Sequence, residues 1–471
     1  MPAQTPPKGW HFPNAFTILI VLIIAVAALT WVIPSGQYTR VPSEALGKDV
    51  PVAGTYALTP GNPQGIIDVI LAPIAGFYDP DSYAANAIDV ALFVLIIGGF
   101  IGVVTATGAI DAGIRRAMVR LKGREMWMIP ILMALFALGG TTYGMAEETL
   151  AFYGLLIPVM IAAGYDALVG VAVILLGAGI GVLGSTINAF STVIASDAAG
   201  ISFADGLWLR LVILALTWAA AVAWVMRYAA RVKADPSRSL VYDLKAANEA
   251  HFGAGVSDEA FTGLHQIVLI LFAATFAVMI WGVSVGGWWM AQMSGLFLFA
   301  ALVIGIVGRL GEPRLVEAFL AGARDLLGVA LIIGLARGIV VVMDAGQITD
   351  TILHSAEVTV ADLPGAAFIS MIYVVELGLS FFVPSTSGLA VLSMPILAPV
   401  ADFAEVPRSL VVTAFATASG WVNLITPTSA VVMGGLAIGR VPYQRWLRFV
   451  WPLLLVLTVI VMGALTLATL I

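Results

Sequence analysis

Two adjacent carboxylates, Glu147 and Glu148, close a polar, glycine-rich stretch (139–148) that interrupts an otherwise apolar region. Three further charges lie in or at the end of apolar runs: Arg337 within Leu335-Ala336-Arg337-Gly338, Glu376, and Asp197. A charge at membrane depth is costly and is retained where it binds a ligand, couples an ion or pairs with another charge. Three more polar breaks cut apolar runs. They are Gly181-Val182-Leu183-Gly184-Ser185-Thr186-Ile187-Asn188, Val383-Pro384-Ser385-Thr386-Ser387-Gly388 and Asn423-Leu424-Ile425-Thr426-Pro427-Thr428-Ser429. Their hydroxyls, amides and freed carbonyls are hard oxygen ligands or hydrogen-bond partners. Any helix that restarts after such a break presents N–H groups and partial positive charge, which attract carboxylates. The chemistry implied is the binding of a small charged molecule. The candidate binding residues are Thr141, Thr142, Glu147, Glu148, Ser185, Thr186, Asn188, Ser385, Thr386, Ser387, Asn423, Thr426, Thr428 and Ser429.

Adjacent helical residues point about 100° apart, so one of Glu147 and Glu148 is expected to face the ligand and the other to cap the following helix. Arg337 reads either as a ligand contact or as the partner of Glu376 or a tip glutamate. Asp197 reads as a coupling residue or as an interfacial helix end. No protein cofactor is implied. Na⁺ or H⁺ is the expected coupling ion, with Asn188 and Thr428 as the place for a sodium ion.

Unpaired backbone in hydrocarbon costs several kcal/mol per group, so a non-helical chain survives there only where it lines a cavity or is buried in protein. The elements that hold these residues follow from that. Nine spans of roughly twenty residues are expected at 14–34, 86–109, 166–197, 206–228, 264–283, 288–308, 326–344, 408–438 and 446–470. The third and eighth contain breaks. The regions 126–164 and 363–402 each pair two short apolar runs around a polar tip and read as re-entrant hairpins. The fold class expected is an all-α polytopic membrane protein. A single break reads as mere helix packing; four, matched in pairs, read as a site.

The matching comes from an internal repeat. Leu95-Ile96-Ile97-Gly98 recurs as Leu331-Ile332-Ile333-Gly334, Pro158 as Pro395, and Trp208-Leu209-Arg210 as Trp446-Leu447-Arg448, at offsets of 236 to 238. The repeats are 1–232 and 286–471, joined by a cytoplasmic linker and a connecting span at 233–285. The loop 111–125 carries Arg115, Arg116, Arg120, Lys122 and Arg124, whereas 344–362 has no Lys or Arg and holds Asp344, Asp350, Glu357 and Asp362. Basic loops stay in the cytoplasm, so the two copies are inserted in opposite senses, the arrangement of secondary transporters. The acidic segment 35–89 (Glu44, Asp49, Asp68, Asp79, Asp81, Asp89) then falls outside. Arg227, Arg231, Lys233, Arg238, Lys245, Arg440 and Arg445 fall inside. The N-terminus is cytoplasmic and the C-terminus periplasmic.

Composition agrees. The chain is 61% hydrophobic and 11% charged, against roughly half and a quarter in soluble domains. Cysteine is absent, which excludes disulfides, thiolate nucleophiles and Cys-ligated metals. The net charge of −6 leaves no nucleic-acid footprint. The stretch from Lys8 through 16–33 lacks a small-x-small cleavage pattern and reads as a retained first span.

Gly144-Met145-Ala146-Glu147-Glu148, Gly164-Tyr165-Asp166, Leu335-Ala336-Arg337-Gly338 and the opening Phe12-Pro13-Asn14-Ala15-Phe16 with Trp31-Val32-Ile33-Pro34-Ser35-Gly36 resemble the YfcC family. That family is related to arginine–ornithine antiporters and anaerobic C4-dicarboxylate carriers within the ion-transporter superfamily. The resemblance implies a scaffold, a mobile part carrying both hairpins and both broken helices, elevator motion and a homodimer in the bacterial inner membrane. Sodium-coupled dicarboxylate relatives carry Ser-Asn-Thr at both breaks. Here the breaks read Ser185-Thr186-Ile187-Asn188 and Thr426-Pro427-Thr428-Ser429, a departure from the sodium pattern.

The favoured function is secondary transport of an amino acid, basic in character, by exchange or ion coupling. Half-helix N-termini would hold its carboxylate and Glu147 or Glu148 its cationic side chain. A dicarboxylate carrier is the alternative and would rather have Arg or Lys at the tips. An intramembrane enzyme needs a nucleophile–base pair or metal ligands. His11, His251, His265 and His354 fall near membrane edges or outside, and no His-Glu-x-x-His or Gly-x-Ser-x-Gly is present. A channel would not need mirrored hairpins.

Overall fold

The computed structural model describes residues 13–43, 48–113, 116, 124–253 and 261–470. Lys8, His11, Phe12, Glu44, Arg115, Arg120 and Lys122 lie outside them. The apolar runs form helices, and among the described residues ten are long and apolar enough to cross a membrane.

Helix α1 (Ala15–Leu29) is capped by Asn14, whose Oδ1 accepts from Thr17 N at 2.9 Å. It is shorter than the expected 14–34 span. Fifteen residues reach about 22 Å, less than a hydrocarbon core of roughly 30 Å. The helix stops at Thr30, whose hydroxyl donates to Ala27 O and accepts from Gln64 N. The polar segment that follows is not helical, which corrects the all-α expectation. It forms two small antiparallel sheets: β1 (Gly36–Gln37) with β4 (Ala57–Leu58), and β2 (Arg40–Ser43) with β3 (Lys48–Pro51). A short helix α2 (Ile66–Ala75) and the span α3 (Ile88–Ala106) come next.

The first hairpin pairs α4 (Met128–Thr142) with α5 (Leu150–Ala162). The broken third span is α6 (Ala167–Gly184), a π-helical turn at Ala189–Val193 and α7 (Ile194–Ala199). Then come α8 (Leu207–Ala234), a linker containing α9 (Lys245–Gly253), α10 (Gly263–Ser284), α11 (Met290–Val307), α12 (Glu312–Asp325), α13 (Leu327–Ala345) and α14 (Thr349–Val360). The second hairpin is α15 (Gly365–Phe382) with α16 (Thr386–Phe403). The broken eighth span is α17 (Arg408–Val422) with α18 (Ala430–Ile438), and α19 (Tyr443–Ala468) ends the chain. Three hairpin arms, Glu125–Thr142, Gly365–Phe382 and Thr386–Phe403, are longer than expected and long enough by length and composition to cross. The polar residues Gly139 to Thr142 continue the first arm as helix rather than ending it.

Helix α12 falls between the expected spans 288–308 and 326–344, and it has a reason to form. Glu312, Arg314, Glu317 and Arg324 alternate at helical spacing with Leu315, Ala318, Phe319 and Gly322. Its small residues let it lie against α3. A Cβ at Gly98 would stand 2.5 Å from Gly322 O, and Gly102 abuts Ala318 O. The same crossing occurs between α13 and α2, where a Cβ at Gly338 would stand 2.6 Å from Ala72 O and Gly76 abuts Gly334. Both glycines of the recurring Leu-Ile-Ile-Gly motif therefore mark a backbone contact with a short helix from the other half of the chain.

Candidate functional site

A cavity of about 300 Å³ collects residues from both hairpin tips and both breaks. Four helix starts meet there. At the first tip Ala146 N donates to Glu148 Oε2 at 3.0 Å. Asn188 Oδ1 accepts from Phe190 N at 2.9 Å, Ser385 Oγ from Gly388 N at 3.2 Å, and Ser429 Oγ from Val432 N at 3.4 Å. Asn188, Ser385 and Ser429 are thus N-caps that also line the cavity, which puts the positive dipole ends of their helix starts around one space.

Both signs of charge line it. Glu148 is buried and accepts from Ala146 N, whereas Glu147 is only partly buried and accepts only from its own backbone among the described residues. Glu148 is therefore the capping acid and Glu147 the one available to a ligand. Arg337 lines the same cavity from the middle of α13. Among the described residues no carboxylate lies within ion-pair distance of it, so the expected pairing with Glu376 or a tip glutamate does not form. An aromatic wall completes the lining. Phe190 packs on Trp289 with centroids 5.2 Å apart, and Trp289 Nε1 donates to Asp89 Oδ2 at 3.1 Å. Trp288, Trp289, Phe190 and Ser191 were not foreseen. The tandem tryptophans directly after Gly286-Gly287, at the start of a span, were the available signal.

Gly144 shapes the first tip. Its φ is +78°, and an added Cβ would lie 2.8 Å from Asn188 Oδ1. Only glycine adopts this conformation without strain and leaves room for that amide.

The structure brings Glu147, Glu148, Asn188, Ser385, Thr386, Ser387, Asn423, Thr428, Ser429 and Arg337 to the cavity. It places the remaining candidates elsewhere. Thr141 and Thr186 bond each other, Oγ1 to Oγ1 at 3.0 Å, and Thr141 Oγ1 accepts from Thr186 N at 2.9 Å. With Ile187 N on Thr141 O and Asn188 Nδ2 on Gly140 O at 3.1 Å, they bind the break to the last turn of α4. Ser185 has left-handed backbone (φ 35°), held by Thr192, whose hydroxyl donates to Ser185 O and lies 2.7 Å from Ser185 Oγ. Thr142 Oγ1 donates to Leu138 O, and Thr426 Oγ1 lies 2.7 Å from Thr428 Oγ1. These five residues build the breaks rather than line the space. Asp197 is exposed near the end of α7, away from the cavity, as an interfacial helix end would be. Glu376 is fully buried in α15, outside the cavity.

The model of the DcuC, C4-dicarboxylate anaerobic carrier, family matches residues 12–470. The chain belongs to that family. It is a multi-pass membrane transporter of the DcuC/YfcC type. An uncharacterised protein of Haemophilus influenzae is 37% identical over 497 residues, covering 96% of each chain. YfcC of Escherichia coli, a proposed basic amino acid antiporter, is 31% identical over 480 residues, covering 94% of this chain and 93% of its own. Among solved structures, MtrF of Neisseria gonorrhoeae, described within a class of antimetabolite efflux pumps, aligns over 98% of this chain and 96% of its own at 15% identity and a TM-score of 0.43. The YdaH transporter of Alcanivorax borkumensis aligns over 97% and 98% at 13% identity and a TM-score of 0.43. The family is one of carriers rather than enzymes.

Proposed function

We propose that this protein exchanges cationic amino acids, or moves them with H⁺ or Na⁺, by an elevator motion. The observation that carries the reading is the charge content of the central cavity: Glu147 and Glu148 against Arg337, with N-capped helix starts around them. A basic amino acid offers one carboxylate and two cationic groups. Its carboxylate suits Arg337 and the helix starts, and its cations suit Glu147 and the faces of Trp288 and Trp289. The name borne by the Escherichia coli relative points the same way.

A C4-dicarboxylate is the second reading, favoured by Arg337, the helix N-termini and the family's description. It would place two carboxylates beside Glu147 and Glu148, a like-charge arrangement that binding must overcome.

The elevator reading has its support in bonds within the proposed mobile part. Hairpin one is tied to the third-span break through Thr141, Thr186 and Asn188, and hairpin two to α17 through Thr386 and Ser419 at 3.1 Å. Inverted insertion is supported by the reciprocal crossings of α2 on α13 and α12 on α3. A homodimer in the inner membrane with the N-terminus cytoplasmic completes the proposal. Its test is counterflow in proteoliposomes loaded with L-arginine. External labelled L-arginine should accumulate and labelled succinate should not. Succinate uptake without arginine uptake overturns the substrate class.

A further inference from the structure

A second cavity, of about 380 Å³, lies beside the first and touches it through one residue. Arg337 lines both. Between them stands the tip of hairpin two. Val383 and Gly388 border the second cavity, while Pro384 to Ser387 border the first. The second cavity is roofed by the strand segment 36–40 and floored by α13 and the start of α14.

Its charges are unequally engaged. Asp350 is satisfied: Arg40 Nη2 lies 2.9 Å from its Oδ1 and Tyr38 N donates to its Oδ2 at 3.0 Å. The roof is bonded down further by Tyr38 OH on Glu357 Oε2 at 2.6 Å, and burial together with that bond holds the Tyr38 phenol well above its usual range. Asp344 is exposed and receives one hydrogen bond, from Thr349 Oγ1 at 2.8 Å on Oδ1. Arg337 has no ion-pair partner among the described residues. Seven residues separate Arg337 and Asp344 on one helix, two turns and about 10 Å along one face. A cation with no ion-pair contact and an anion with a single hydrogen bond, within electrostatic reach of each other but not in contact and both on one cavity, match a molecule with a carboxylate at one end and a cation at the other.

We propose that Arg337 and Asp344 form a second binding station for a cationic amino acid, occupied together with the central site, with the Arg337 guanidinium donating to one carboxylate in each cavity. The tip of hairpin two would then separate two stations that share one guanidinium. This rests on the substrate class proposed above. A dicarboxylate would put its second carboxylate on Asp344, so the station also selects against it.

The test is equilibrium binding of labelled L-arginine to the purified full-length protein. Wild type should bind two molecules per chain. Asp344→Asn, isosteric and uncharged, should bind one, and its retained central binding reports that the variant is folded. Glu147→Gln should lose the central molecule and keep the other. Arg337→Gln should weaken both. One molecule per chain in wild type, unchanged in Asp344→Asn, removes the second station and leaves the proposed substrate standing. Two molecules in both proteins also overturns the assignment to Asp344. No arginine binding to wild type overturns the substrate class and this station together.

Discussion

Asn188 separates two accounts of the central cavity. It lines the space, which suits a ligand contact, yet both ends of its amide are already engaged. Oδ1 caps the π-helical turn through Phe190 N, and Nδ2 donates to Gly140 O, a carbonyl in the last turn of α4 that has no helical partner. Asn188→Ala removes the cap, worth about 1 kcal/mol, and leaves a buried carbonyl unpaired, about 1–3 kcal/mol. The sum is about 2–4 kcal/mol of stability, shared by hairpin one and the third-span break. Thermal unfolding in detergent should therefore place Asn188→Ala below wild type. Affinity for L-arginine and for agmatine, its decarboxylated analogue, should fall together, because the amide shapes the site rather than touching the carboxylate. Unchanged thermal stability with a loss confined to arginine would refute this reasoning and make Asn188 a carboxylate ligand.

Glu147→Gln should abolish arginine counterflow with unfolding unchanged, while Glu148→Gln should keep partial transport, since an amide oxygen still accepts from Ala146 N. Equal transport by both variants and wild type would remove the tip acids from the site. Gly144→Ala should destabilise the tip by at least the 1–2 kcal/mol of left-handed backbone, plus the displacement of Asn188, seen as a lower unfolding temperature. Wild-type stability would mean the tip relaxes around the methyl group. Arg124→Cys and Asp362→Cys should react with impermeant thiol reagents from opposite faces of the membrane, against a chain with no native cysteine. Labelling of both from one face would exclude inverted insertion.

The polar breaks and the tip acids were legible because hydrocarbon tolerates such residues only for a reason. Which hydroxyls face the ligand was not legible. Thr141, Thr186, Ser185 and Thr426 are of the same residue types as Thr428 and Ser429, and only the third dimension shows that Thr141 bonds Thr186, Ser185 bonds Thr192 and Thr426 bonds Thr428. Trp288 and Trp289 escaped notice because aromatic residues near a span end read as interfacial anchors. Helix α12 escaped because it falls between two expected spans, although Ala318 and Gly322 sit at the four-residue spacing that close helix approach uses. The outer sheets were hidden in a segment defined only by its acidity. Tyr38 and Arg40 lie 312 and 310 residues from Asp350 and meet it only when the strand segment folds over α14.

The recurring Trp-Leu-Arg motif shows how a repeat can keep its sequence and change its wiring. In both halves it opens the helix that follows a broken span, and in both a residue of that motif reaches a carbonyl of the break. In the first half the residue is Arg210, fully buried, whose guanidinium donates to Phe203 O and Asp205 O in the loop after the break and reaches Thr186 O of the break at 3.5 Å, while Trp208 is exposed. In the second half Trp446 is buried and donates to Leu424 O at 2.9 Å, with Tyr443 OH on Ile425 O at 2.6 Å, while Arg448 faces outward. The two ends of the motif lie two positions apart, about 200° around a helix, so one rotation of α19 relative to α8 exchanges which of them is buried. The requirement that persists is a donor for the carbonyls that a broken helix leaves free, since each unpaired one in a low-dielectric interior costs several kcal/mol. Identity of motif therefore preserves the place of the donor and leaves open which side chain provides it. The first break carries a buried charge against its carbonyls, and the second a neutral indole and phenol. The two breaks are consequently built on different electrostatic footings, although their sequences announce the same break.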